Sequence, residues 1–136
     1  MTTYRGYTQE QIVALIDHTL LKPEATKADL DICINTAIDA DVKAMCIRPM
    51  DVAYSAKKLE GSSILLCTVI GFPHGTVTTA TKVAETIEAV KHGAIEVDMV
   101  MNLGLFASGE YEQVQDDIAQ VVKAAKSTNP KAEIKV

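Results

Sequence analysis

Tryptophan is absent from this sequence of 136 residues, and four Tyr and two Phe are its only aromatics. Basic charge is also short: 13 Lys and Arg stand against 18 Asp and Glu, for a net charge of −5. Proteins that bind nucleic acid or an anionic membrane surface neutralise phosphate with a basic face, so composition argues against both partners. Long apolar runs are missing too. The longest, Ile64 to Phe72, has nine residues and contains Thr68 and Gly71, whereas a spanning helix needs about 20. The opening Met-Thr-Thr-Tyr-Arg-Gly lacks the apolar core of a signal peptide. Cysteine is sparse: Cys33, Cys46 and Cys67 are odd in number, widely spaced and set among apolar residues. That suits reduced thiols in a cytoplasm better than a disulfide framework. No His, Cys and carboxylate set has ligand spacing along the chain, so no metal is expected.

What is present is a capacity to fold. The chain is 48% hydrophobic and 23% charged, enough to bury a sizeable core in one domain over 1–136. Short β-type runs alternate with longer helical ones. A leading helix over Thr8 to Ala14 precedes a strand at Leu15 to Thr19. Thr26 caps a helix with Leu30, Ile34, Ala37 and Ile38 on one face. Further strands are expected at Val42 to Ile47, Ile64 to Ile70, Ile95 to Met101 and Ala132 to Val136. Between them lie helices opened by Pro49, capped by Thr78 or Thr79 and stopped at Gly93, and running from Glu110 to Lys126. Such alternation predicts a parallel sheet. Ala37 to Ile47 lies over Ala89 to Met99 without a gap, which puts Cys46 and Asp98 at the same point of their units, 52 residues apart. Units of about 26 residues fit a (β/α)8 barrel, which is complete at about 250 residues. A doubly wound sheet competes, but no glycine-rich phosphate turn follows the first strand.

The fourth strand carries the strongest chemical signal. Ile95, Val97, Met99 and Met101 form one face, and Glu96, Asp98 and Val100 the other. A strand covered on both sides rarely buries carboxylates without partners, because an unpaired buried charge costs several kcal/mol, very roughly. The acidic face is therefore expected inside the barrel, with Asp98 nearest the carboxyl end, where barrel enzymes place their sites. Ion pairing with lysines of neighbouring strands is the structural alternative. Asp17 and Thr19 share a face of the first strand, and His18 points the other way, which excludes an Asp17–His18 relay. Cys46 has the inward phase of Asp98, although a single cysteine in an apolar run is usually a small core residue. His74 lies in the rigid Phe72-Pro-His-Gly75 turn. Lys135, on the last strand, stands where it could neutralise Asp98.

Five segments together resemble the deoxyribose-phosphate aldolase family, class I aldolases. They are Ile16-Asp-His-Thr-Leu-Leu-Lys-Pro23, Ala44-Met-Cys-Ile-Arg-Pro49, Thr68-Val-Ile-Gly-Phe-Pro-His-Gly75, Ile95-Glu-Val-Asp-Met-Val100 and Glu133-Ile-Lys-Val136. They fall in the family's order and spacing. The resemblance implies a TIM barrel that interconverts 2-deoxy-D-ribose 5-phosphate with glyceraldehyde 3-phosphate and acetaldehyde through a lysine Schiff base, with no cofactor. It implies that Asp98 is the acid–base aspartate, Lys135 the lysine flanking it, Asp17 and Thr19 its first-strand neighbours, and Cys46 a substrate-proximal cysteine.

The family's Schiff-base lysine lies in a Lys-Thr-Ser-Thr-Gly motif on the sixth strand, and the sequence ends inside the fifth. Lys126-Ser-Thr-Asn129 is similar only in letters, since it ends a helix and lacks the glycine. The expectation is the amino-terminal half of a barrel: about four βα units and the start of a fifth strand, without nucleophile or phosphate anchor. Such a chain is expected to be inactive alone and to pair into homodimers or larger assemblies. The alternatives are a non-catalytic half-barrel and a flavodoxin-like binding module.

Overall fold

A computed structural model describes residues 3–136. A small hairpin, β1 (Thr3–Tyr4) and β2 (Tyr7–Thr8), leads into α1 (Gln9–Val13). Thr8 and Gln11 close a capping box at the start of α1, each side chain bonding the other's backbone N–H. Strand–helix units follow: β3 (Asp17–Leu20) and α2 (Lys27–Ala40), then β4 (Ala44–Ile47) and α3 (Val52–Lys58). Next come β5 (Leu65–Ile70) and α4 (Thr79–Lys91), then β6 (Glu96–Met99), α5 (Leu103–Ala107) and α6 (Tyr111–Thr128), and last β7 (Glu133–Lys135).

Strands β3 to β7 form one parallel sheet in chain order. That order removes the flavodoxin-like alternative, which needs a reversal of strand order. The sheet is also strongly curled. Four spacings of about 4.8 Å would hold the edges of a flat five-stranded sheet roughly 19 Å apart. Instead Lys135 Nζ on one edge strand lies 2.6 Å from Asp17 Oδ2 on the other. A lysine reaches that carboxylate only across the hollow of an arc, so the sheet is part of a barrel wall.

Local chemistry explains where the elements stop. Thr26 and Asp29 form a capping box at α2, and Thr78 caps α4. At the far ends of these helices Asp41 (φ 51°) and Gly93 (φ 114°) adopt positive φ. Asp41 and Gly93 donate to the Ile38 and Val90 carbonyls, and Val42 and Ala94 to those of Ala37 and Ala89. Both helices therefore end in the same Schellman turn, which confirms the gapless match between the two segments. It also corrects one placement. With Cys46 inward, strict alternation along a strand from Val42 would put Val42 on the inner face too, but its N–H closes the turn and its side chain joins the core under the helices. Pro49 opens a 3-10 turn (Pro49–Asp51) before α3 rather than the α-helix itself. The hairpin and α5, which Asn102 caps through Leu105 N–H, are too short to show a period in the sequence.

Apolar packing is two-sided. The larger core lies between the sheet and the helices and includes Leu30, Ile34, Met45, Ile47, Val52, Leu66, Ile70 and Val97. A smaller one, Ala44, Cys46, Cys67 and Val69, lines the concave face. Strand β5 contributes to both, which is why it is nearly continuous in apolar residues. Two polar devices hold the helical layer. Lys82 of α4 is wholly buried and pairs with Asp117 of α6 at 2.6 Å. Arg48 bonds Asp51 and the carbonyls of Lys22, Pro23 and Ala25, fastening the loop after β3 to the end of β4. Among the described residues, no helix is long and apolar enough to cross a membrane.

Candidate active site

The concave face carries a lysine among three carboxylates. Asp98 and Lys135 are register partners on β6 and β7, and Glu96 precedes Asp98 by one pleat repeat on the same face. Lys135 Nζ lies 2.6 Å from Asp17 Oδ2 and 3.1 Å from both Glu96 Oε2 and Asp98 Oδ1. The contact to Asp17 is an aligned hydrogen bond, and the other two are ion-pair contacts without bonding geometry. Lys43, just before β4, reaches Glu96 Oε1 at 3.2 Å. Glu96 is buried between these two cations, whereas Asp98 is partly open to the hollow, its side chain 34% exposed. Beside it, the Cys46 and Cys67 sulfurs and one Asp98 carboxylate oxygen all lie within 4.8 Å of one another.

The electrostatics assign states to these groups. Burial alone would lower Lys135, but the three carboxylates around it, Asp17, Asp98 and Glu96, outweigh burial and hold the ammonium well above the ordinary lysine value. Lys135 is therefore protonated at neutral pH and is no nucleophile there. Hydrogen bonding to Glu96 also raises Lys43. The neighbouring Cys67 thiol lowers Cys46, against burial and the Asp98 charge, while the same pairing and burial push Cys67 far up.

Of the residues singled out in the sequence, Asp17, Asp98 and Lys135 converge on one point, and Cys46 lies against Asp98. Thr19 shares their face, but its hydroxyl donates to the Asp17 carbonyl at 2.9 Å and does not enter the charged cluster. His74 is exposed in its turn. Lys126 donates to the Pro130 carbonyl beyond the end of α6, away from the hollow. Glu96, with two lysine partners, matches the ion-pair alternative. Lys43 and Cys67 were not anticipated. Lys43 lies outside the alternating part of its strand, and Cys67 is hidden in a strand without polar alternation. A usable signal for Cys67 is register, since in a parallel sheet Cys46 needs an inward neighbour on the next strand.

Arrangement and architecture together define half of a parallel barrel whose inner face holds a lysine–carboxylate cluster, running from Asp17 and Glu96 at the amino ends of β3 and β6 to Asp98 and Lys135 nearer the carboxyl ends of β6 and β7. The model of the DeoC/LacD family of aldolases matches residues 11–131, and the chain belongs to that family. A deoxyribose-phosphate aldolase of Staphylococcus haemolyticus is 52% identical over 110 residues, which are 81% of this chain and 50% of that protein. Deoxyribose-phosphate aldolase 2 of Staphylococcus aureus is 52% identical over 112 residues, 82% of this chain and 51% of the relative. Among solved structures, the tetrameric deoxyribose phosphate aldolase of Aeropyrum pernix superposes with a TM-score of 0.86 at 32% identity, over 95% of this chain and 53% of that one. A chain from Coccidioides immitis gives a TM-score of 0.90 at 35% identity, over 98% of this chain and 51% of its own. The chain thus spans about half the length of the relatives it matches.

Proposed function

We propose that these residues supply the proton-handling half of a Schiff-base aldolase acting on 2-deoxy-D-ribose 5-phosphate, with glyceraldehyde 3-phosphate and acetaldehyde as products. The observation that carries this reading is the contact of Lys135 with Asp17, Glu96 and Asp98 inside the curled sheet. Class I aldol chemistry needs a neutral amine to attack a carbonyl, and an acid–base group to move protons as water leaves and the carbon–carbon bond breaks. Asp98, open to the hollow and steadied by Lys135, takes the second role. Lys135 takes neither: bound by three carboxylates, it holds Asp98 in position. Cys46 packs beside the substrate, Thr19 holds the end of β3 near Asp17, and no metal or organic cofactor takes part.

The nucleophile of this reading is a lysine in a Lys-Thr-Ser-Thr-Gly run, which the 136 residues do not contain. The 136-residue chain alone should therefore not cleave the sugar phosphate. Borohydride trapping with substrate, followed by mass spectrometry, tests this. No adduct is expected, and a stable one on Lys135 formed at enzymic rates would refute the assignment.

A second reading, a non-catalytic half-barrel that self-assembles, is favoured by the sheet's edges. Among the described residues the outer edges of β3 and β7 have no strand partner, and open edges template pairing with another chain. Buried free thiols and an acidic surface suit a cytoplasmic setting for either.

A further inference from the structure

Spacing along the chain offers no ligand set for a metal, but sheet register assembles one. Cys46 and Cys67 are direct partners on β4 and β5, both on the concave face. Their sulfurs and an Asp98 oxygen lie within 4.8 Å of one another. Tetrahedral Zn2+, with Zn–S bonds of about 2.3 Å, sets its sulfurs roughly 3.8 Å apart. The 4.8 Å limit on the separation of the three ligand atoms includes that distance. Asp98 Oδ1 is buried and makes no aligned hydrogen bond, and the Lys135 ammonium that lies 3.1 Å from it would have to give way to the ion. The rest of the Asp98 side chain opens to the hollow, which leaves an entry path and a fourth vertex facing water. The chemistry proposed above does not use Cys67.

We infer that Cys46, Cys67 and Asp98 form a binding site for one thiophilic divalent cation, Zn2+ or Cd2+, with water as the fourth ligand. Charge balance favours it. Without an ion, Lys43 and Lys135 face Asp17, Glu96 and Asp98, a net of one negative charge. Binding a divalent ion while both thiol protons leave to solvent keeps that net charge unchanged and releases two protons per ion. Hard cations do not compete, because Mg2+ and Ca2+ need six or more oxygen ligands. Occupancy would also take Asp98 out of proton transfer, so the ion would inhibit. That consequence rests on the reading of Asp98 as acid–base group, whereas binding itself does not.

The test is a cadmium titration of the full 136-residue chain, kept reduced by a phosphine, with thiolate-to-metal charge-transfer absorption and proton release as readouts. One ion per chain, two protons per ion and indifference to excess Mg2+ are expected. Cys46→Ser and Cys67→Ser should each weaken binding beyond the roughly 10–100-fold that loss of an outer-shell partner costs. Cys33→Ser should bind normally, because Cys33 lies in the core on the other side of the sheet. Cadmium NMR of the unaltered chain reads the donor set without any variant that must fold, and a shift typical of two sulfurs is expected. Absence of one-to-one binding at micromolar cadmium, a donor set without two sulfurs, or a site that survives the Cys46→Ser/Cys67→Ser double variant overturns the inference.

Discussion

Removing one member of the Lys82–Asp117 pair should destabilise the chain far more than removing both. The Lys82 side chain is 0% exposed and that of Asp117 4%, and their charged atoms are 2.6 Å apart. Taken out of water, each ion loses several kcal/mol of hydration. At an effective dielectric constant of about 20, the attraction at that distance is about 6 kcal/mol, so the intact pair roughly offsets its own desolvation. Asp117 Oδ1 has no hydrogen-bond partner, which leaves Lys82 as the main compensation for that carboxylate. In Lys82→Met the attraction disappears while the carboxylate stays buried, and in Asp117→Leu the reverse holds. Each should cost about 3–5 kcal/mol, whereas Lys82→Met/Asp117→Leu should fall within about 1 kcal/mol of the parent or exceed it. Urea unfolding of the four chains completes a double-mutant cycle, with the slope on denaturant checked for constancy. For a chain of this size the single variants should melt about 10–20 °C lower. Single variants costing under about 1 kcal/mol, or a double variant costing the sum of both, would refute the account.

In a chain that carries these residues within a complete barrel, Asp98→Asn should lower turnover by about 10²–10⁴-fold with the fold intact, and Cys46→Ala by far less. Near-full activity of Asp98→Asn would remove it as the acid–base group. Gly75 has φ +68°, and a Cβ there would meet the Met101 carbonyl oxygen at 2.0 Å, whereas Gly61 has φ +83° and open space around it. Both alanine variants should cost about 1–2 kcal/mol for left-handed backbone, with a clear excess at Gly75 measured by urea unfolding. Lys135 is raised in the folded chain, so its contribution is fully present below the unfolded lysine value of about 10.4 and fades as pH rises through the folded one. The stability gap between the parent and Lys135→Met should thus hold steady up to about pH 10 and narrow above it. Sedimentation equilibrium at micromolar concentration should show dimers or larger species, and a monomer that persists across dilution and concentration would contradict pairing through the open edges.

Much of the architecture was written locally. Thr26, Thr78 and Gly93 act on their own turns, and apolar period separates strand from helix, so the units were legible in order. Their ends were less so. Val42 looks like a strand residue, but it gives its N–H back to the preceding helix. The charged face of β6 was legible for the same local reason: Glu96 and Asp98 alternate with Val97 and Met99 whatever the strand packs against.

The sequence by itself determined the alternation, the parallel sheet, the inward phase of Cys46 and Asp98, and the family resemblance. Tertiary structure alone decided which of those residues meet. The bond between Lys135 and Asp17 spans 118 positions and both sheet edges, and it exists only because twist and tilt accumulate over the strands until the edges face each other. The nearness of Cys67 to Cys46, the second cation on Glu96 and the burial of Lys82 against Asp117 are likewise matters of register and helix packing. Side-chain period states which face a residue takes. It carries nothing about which strand, at what height, will face it across the hollow.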